Sequence, residues 1–201
     1  MQLLVATTNP NKVREIRSIL AGLDVDLVGL DAFPAVAEPE ETGATFAENA
    51  RAKAAYYSRQ LGVVAVAEDS GLAIDALDGE PGIHSARYGG ASATYPEKFA
   101  RLYARLREVG APESPARFVC ALAVARGDRI LFEARGTIEG CVADEPRGAC
   151  GFGYDPMFFH PPSGRTLAEL TDTEKASISH RGHAFRQLKD FLQGGDLRAE
   201  A

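Results

Sequence analysis

The run Val63-Val64-Ala65-Val66-Ala67 passes without a break into Glu68-Asp69-Ser70-Gly71. The first part is apolar and β-branched, the signature of a strand. A strand this apolar reads as buried on both faces, as in a parallel sheet. Unpaired carboxylates are costly inside such a strand, so the acids are expected at its carboxyl end. Open α/β sheets place their ligands there. Glu68 and Asp69 are therefore read as the floor of an active site that uses a divalent metal.

The rest of the chain supports a sheet of this kind. Gln2 to Thr7 reads as a first strand. Asn9 to Leu20 reads as a helix, with Asn9 as N-cap, Pro10 in the first turn and Val13, Ile16, Ile19 and Leu20 on one stripe. Val25 to Leu30 is a short strand, and Phe33 to Gly43 a loop rich in proline and glutamate. Thr45-Phe46-Ala47-Glu48 fits a capping box that opens a helix to about Gln60. After Gly71, Leu72 to Ala76 is expected extended, and Asp78 to Ala93 has turn formers without a period. Thr94-Tyr95-Pro96-Glu97 opens a helix to about Glu108. Arg117 to Ala125 and Arg129 to Glu139, joined at Gly127-Asp128, form an antiparallel hairpin. Arg147 to Pro162 reads as a loop, and Thr171 to Phe191 as a helix broken near Ser179. The last ten residues read as frayed. The β-α-β-α-β start and the later hairpin predict an α/β protein: a mixed twisted sheet with flanking helices, in two lobes with a central cleft.

Charge and composition narrow the partners. The formal net charge is -6, which argues against a sequence-independent grip on nucleic acid. A small phosphate ester remains open, through local cations and helix N-termini. No apolar run is long enough to span a bilayer, and the first residues run straight into a strand with no secretion signal. Cys120, Cys141 and Cys150 are odd in number and lack C-x-x-C spacing, so they read as buried reduced thiols in the cytoplasm.

Each candidate motif has a plain reading beside the functional one. Thr7-Thr8-Asn9-Pro10-Asn11-Lys12 sits at a strand-to-helix turn, where free N–H groups and Lys12 suit a phosphate. It lacks the glycines of a Walker A loop or a dinucleotide fingerprint, and an ordinary Asn cap explains it as well. Glu38, Glu40 and Glu41 are either solvated loop acids or partners of Asp69 on a hard cation, with Glu40 and Glu41 both open for that role. Asn49 and Lys53 share a helix face. Lys53 lies among alanines and either snorkels or holds phosphate. Gly151-Phe152-Gly153-Tyr154-Asp155 offers an aromatic to stack on a base and a carboxylate for a base or ribose donor, or simply packs. Ser179-His180-Arg181 is a helix start, or a pair of donors for a base edge or phosphate.

Taken together, these segments resemble one family. They include Glu41-Thr42-Gly43, Glu48-Asn49-Ala50-x-x-Lys53-Ala54 and Pro81-Gly82-x-x-Ser85-Ala86-Arg87-Tyr88. Gly151 to Pro156 and Glu174-Lys175-x-x-Ile178-Ser179-His180-Arg181 complete the set. The chain is similar from residue 3 to about 192 to the inosine/xanthosine triphosphate pyrophosphatases of the Ham1/RdgB-like family. Two positions depart from the common pattern: Thr8 replaces glycine, and Glu68 replaces aspartate. The resemblance implies hydrolysis of dITP, ITP and XTP to monophosphate and pyrophosphate, cleansing the nucleotide pool. It implies Mg2+ held by Asp69 and Glu40, with Asp69 accepting a proton from the attacking water. Thr7, Thr8, Asn9, Pro10, Asn11, Lys12, Lys53 and Lys175 would hold the phosphates, and Ser70 would contact substrate. Phe152, Gly153, Tyr154 and Asp155 would enclose base and sugar, while His180 and Arg181 read the base. A homodimer is also implied. A pyrophosphatase for modified pyrimidine nucleotides and a non-catalytic nucleotide-binding module are the other readings.

Overall fold

A computed structural model of the chain describes residues 2–90 and 92–195. The tail expected to fray lies, for residues 196–201, outside the described residues. The chain divides into two compact units. One is Met1–Asp69, Cys120–Gly136 and His180–Ala201; the other is Ser70–Val119 and Thr137–Ser179.

Seven strands form one mixed sheet: β1 Gln2–Val5, β2 Asp26–Gly29, β3 Ala65–Ile74, β4 Pro115–Arg126, β5 Arg129–Val142, β6 Phe158–His160 and β7 Arg165–Thr166. The order is β2-β1-β3-β4-β5-β6-β7. β1 pairs in parallel with β2 and with β3, whereas β5–β6 and β6–β7 are antiparallel. The helices are α1 Pro10–Ile19, α2 Phe46–Leu61, α3 Tyr95–Glu108, α4 Asp172–Ile178 and α5 His180–Gln193. Asn9 caps α1 and Thr45 caps α2, as their sequences predict. Ser179 stands extended between α4 and α5, so the break falls where it was expected.

Two expectations are corrected. The segment from 147 to 162 is not all loop, because Phe158–His160 is a strand paired with both β5 and β7. β3 also does not end at its acids. It runs on through Glu68-Asp69-Ser70-Gly71 to Ile74, with Glu68 3% and Asp69 6% exposed. A buried carboxylate inside a strand is tolerable once it is paired, and both are.

In the first unit, strand alternation sorts side chains into two cores. Leu3, Val5, Val64, Val66, Cys120, Leu122 and Val124 pack with Ile16 and Leu20 of α1 and with Ala184, Phe185 and Leu188 of α5. Leu4, Ala6, Ala65, Ala67, Ala121, Ala123 and Ala125 pack with Ala50, Ala54 and Tyr57 of α2. The alanine-rich layer lets α2 lie close to the sheet. The second unit has its own core, including Leu72, Ile74, Leu102, Leu106, Met157 and Phe158.

Candidate active site

The same alternation decides what the two adjacent acids meet. Glu68 continues the parity of Val64 and Val66 and joins the α1/α5 side. Asp69 continues the parity of Ala65 and Ala67 and joins the α2 side. Like charges next to each other in sequence are thus directed to opposite faces.

Glu68 sits in a closed ionic cluster. Its Oε1 accepts from Lys12 Nζ at 2.8 Å and from Arg181 Nη2 at 3.0 Å. Its Oε2 accepts from the Cys120 thiol at 3.0 Å. Arg181, 1% exposed, also donates from Nη1 to Glu15 at 2.6 Å. Burial by itself would push the Glu68 carboxyl up. The charges of Arg181 and Lys12 outweigh it and hold Glu68 well below the ordinary value of 4.5. The Cys120 thiol, buried beside that carboxylate, is pushed well above its usual range. A thiol so disposed is a donor and not a nucleophile.

Asp69 has different company. Asn49 Nδ2 donates to its Oδ2 at 3.0 Å. Gly43 N–H donates to Asn49 Oδ1 at 2.9 Å and so sets which way that amide faces. Lys53 Nζ lies 3.8 Å from Asp69 Oδ1 and 2.7 Å from Glu41 Oε1. Burial pushes the Asp69 carboxyl above its ordinary value of 3.8, Lys53 and Asn49 offset part of that, and Glu41 adds to it. The result is a buried, basic carboxylate on a rigid strand, the character a general base needs.

Of the two loop acids, Glu41 is the one brought to Lys53, whereas Glu40 is exposed. A hard cation fits this donor set. Two carboxylates flank one ammonium, and a second positive charge would lower the Asp69 carboxyl that burial and Glu41 have raised. Among the described residues no group of three metal-binding side chains occurs. Magnesium does not require one, since it keeps waters and takes one or two carboxylates with substrate phosphates.

At the start of α1 the Asn cap is realised. Asn9 Oδ1 accepts from the N–H of Asn11 at 3.0 Å and of Lys12 at 3.3 Å. Thr7 Oγ1 accepts from Asn9 N–H, and Thr8 donates to Glu38 at 2.6 Å. Pro10 takes the first helical position. His180 opens α5 and is 4% exposed.

Ser70, Phe152, Gly153, Tyr154, Asp155 and Lys175 belong to the second unit. Asp155 Oδ2 accepts from Lys175 Nζ at 2.6 Å and from Phe152 N–H at 2.7 Å. Lys175 also lies 4.7 Å from the centre of the Phe152 ring. A buried cation thus fixes the loop that carries both the ring and the carboxylate. Gly151 makes this possible: its φ is +71°, and a Cβ there would fall 2.2 Å from Asp155 Oδ2. Gly164 has a similar φ of +65° with nothing near its Cβ position. Gly151→Ala is expected to cost about 2–4 kcal/mol, against about 1–2 for Gly164→Ala. Chemical denaturation of the two variants checks this, and equal losses would mean that the loop absorbs the clash.

Sequence reasoning left two contributors out of the site altogether. Glu41 was open beside Glu40 as a partner of Asp69, and Asn49 was noted on one helix face with Lys53 without a role of its own. Glu15 and Cys120 had no signal, since their meeting with Arg181 and Glu68 depends on strand register and helix placement.

Comparisons with known proteins identify the family. The profile of the Ham1 family matches residues 3–191. The chain belongs to the Ham1 family. A "dITP/XTP pyrophosphatase" of Thermus thermophilus is 47% identical over 195 residues, covering 97% of this chain and 93% of that protein. One of Geobacter sulfurreducens is 45% identical over 191 residues, covering 95% and 96%. The solved structure of a HAM1 protein from Coxiella burnetii superposes with a TM-score of 0.90 at 38% identity, covering 96% of this chain and 99% of that one. In this Ham1-family chain Glu68 and Asp69 stand next to each other on β3 and meet different partners.

Proposed function

We propose that the protein is a nucleoside triphosphate pyrophosphatase that hydrolyses deaminated purine nucleotides (dITP, ITP and XTP) to monophosphate and pyrophosphate. The observation that carries the reading is Asp69: a buried carboxylate kept basic by its surroundings and oriented by Asn49, beside a lysine shared with Glu41. A binding module for anionic ligands gains nothing from such a carboxylate, whereas a hydrolase needs one.

Asp69 accepts the proton of the attacking water. Asn49 and Lys53 hold its carboxylate in place. Lys12, Lys53, Lys175 and the α1 turn keep the phosphate-holding role that the resemblance gives them, and Phe152 to Asp155 the role of enclosing base and sugar. Asp69 with a glutamate of the 40–41 pair would bind Mg2+, which neutralises charge on phosphate oxygens when bound. His180 and Arg181 supply donors for the purine C6 carbonyl. Adenine carries an amino donor at C6, and a buried donor left unmatched costs ~1–3 kcal/mol, roughly tenfold to a hundredfold against ATP.

A homodimer and a cytoplasmic location complete the proposal. The three cysteines are free thiols, but only Cys120 is buried as expected; Cys141 is partly buried and Cys150 is exposed, because it lies in the loop before Gly151. Among the described residues no helix is long and apolar enough to cross a membrane.

The test is pyrophosphate release from dITP, XTP, dATP and dGTP by the full chain, with magnesium and with excess EDTA. Release from dITP and XTP well above dATP, abolished by EDTA, is expected. Equal rates on all four would defeat the substrate reading, and activity in EDTA would defeat the magnesium role.

A further inference from the structure

The segment Pro81-Gly82-x-x-Ser85-Ala86-Arg87-Tyr88 carries no role in the reading above, yet it lies against the residues that do. β1 accompanies β3 only along its first half, with Val5 opposite Val66. In the second unit the segment after Asp78 takes over beside β3. Ile74 N–H donates to Glu80 O at 3.1 Å, and Ala73 bridges Pro81. Leu72 N–H donates to the Ser85 hydroxyl at 3.0 Å.

Ser85 is 5% exposed and fully engaged. Its hydroxyl accepts from Leu72 and donates to Gly82 O at 2.6 Å. Its carbonyl accepts from the Tyr154 phenol at 2.8 Å. Gly71 allows this approach, since a Cβ there would fall 2.4 Å from both Gly82 O and Ser85 Oγ. The next residue is held as well: Lys98, 3% exposed, donates to Ala86 O at 2.5 Å. Lys98 also lies 4.8 Å from the centre of the Tyr95 ring, and Tyr95 meets Tyr154 edge-on at 5.4 Å.

One serine therefore ties two functional segments together. Through Leu72 it fixes the strand two residues past Ser70. Through Tyr154 it fixes the loop that carries Phe152 and Asp155. We infer that Ser85 is a positioning residue for the reaction, setting Ser70 and the Phe152–Asp155 loop in one mutual geometry. This rests on the reading under Proposed function. A buried serine that merely satisfies its neighbours would affect stability alone. A positioning serine affects turnover too, because small misplacements of binding groups are costly in rate.

The experiment compares steady-state dITP hydrolysis and thermal midpoints for the wild-type chain, Ser85→Ala, Tyr154→Phe and the double variant, all assayed well below their midpoints. Ser85→Ala is expected to lower kcat by about tenfold, through the strand side. Tyr154→Phe is expected to raise KM by roughly fivefold with kcat little changed, through the loop side. The double variant should fall short of the product of the two effects, because both act through one residue. Wild-type turnover with kcat and KM within about twofold of normal in both single variants would overturn the inference and leave the proposed function standing. If Ser85→Ala does not fold, Tyr154→Phe decides alone, an unchanged KM counting against the inference. No turnover of dITP by the wild type would remove the functional reading, and this inference with it.

Discussion

Asp69→Asn is expected to lower kcat for pyrophosphate release by a factor on the order of 10²–10⁴, the range that a positioned general base supplies. The fold should survive. The amide keeps an acceptor for Asn49 Nδ2, and Lys53 retains Glu41 at 2.7 Å. The thermal midpoint should stay level or rise, because burial already disfavours the ionised form of Asp69. A group whose ionisation the folded state resists costs stability at neutral pH, and the amide removes that cost. The informative result is therefore a pair of numbers, activity down and stability not down. Turnover within a few-fold of normal would take the base role away from Asp69. Equal losses of activity and stability would show the change to be structural.

Glu68→Gln should do the reverse, with its main effect on stability. The amide leaves Arg181 and Lys12 facing a neutral group where a carboxylate had been. Breaking a buried ion pair from one side costs about 3–5 kcal/mol. Denaturant unfolding near neutral pH reads the loss. The pH dependence gives an independent check. Glu68 has a folded-state value well below its ordinary 4.5, so its contribution is fully present above that pH and is lost as pH falls through the lower folded value. Stability of the metal-free wild type should therefore decline on acidification below about 4.5. The gap between wild type and Glu68→Gln should close over the same window. A gap that stays constant down to strong acid would mean that the pairing energy does not come from the charge on Glu68.

Much of this was legible in the residues themselves. The caps at Asn9, Thr45 and Thr94, the two-residue turn at Gly127-Asp128 and the break at Ser179 are local chemistry, and local chemistry is readable from a few neighbours. The apolar run before Glu68 rightly marked a strand buried on both faces, and it pairs in parallel with β1. What misled was the rule that carboxylates end a buried strand. The rule holds for unpaired charge, and the partners that suspend it lie far along the chain: Lys12 is 56 positions from Glu68 and Arg181 is 113. Likewise Phe158–His160 reads as loop because three residues carry no period, and its strand character comes from Cys141 and Val142 opposite. In the candidate site, residue types were readable and pairings were not. Nothing local says that Cys120 faces Glu68 or that Glu41, not Glu40, reaches Lys53.

The alternation along β3 has a consequence for how such a chain can vary. Adding or deleting a single residue between Val64 and Glu68 would hand Asp69, the acid proposed to accept a proton, to the arginine and the arginine's acid to Asn49. Length in this short segment is therefore expected to be far less tolerant of change than composition, however conservative the inserted residue.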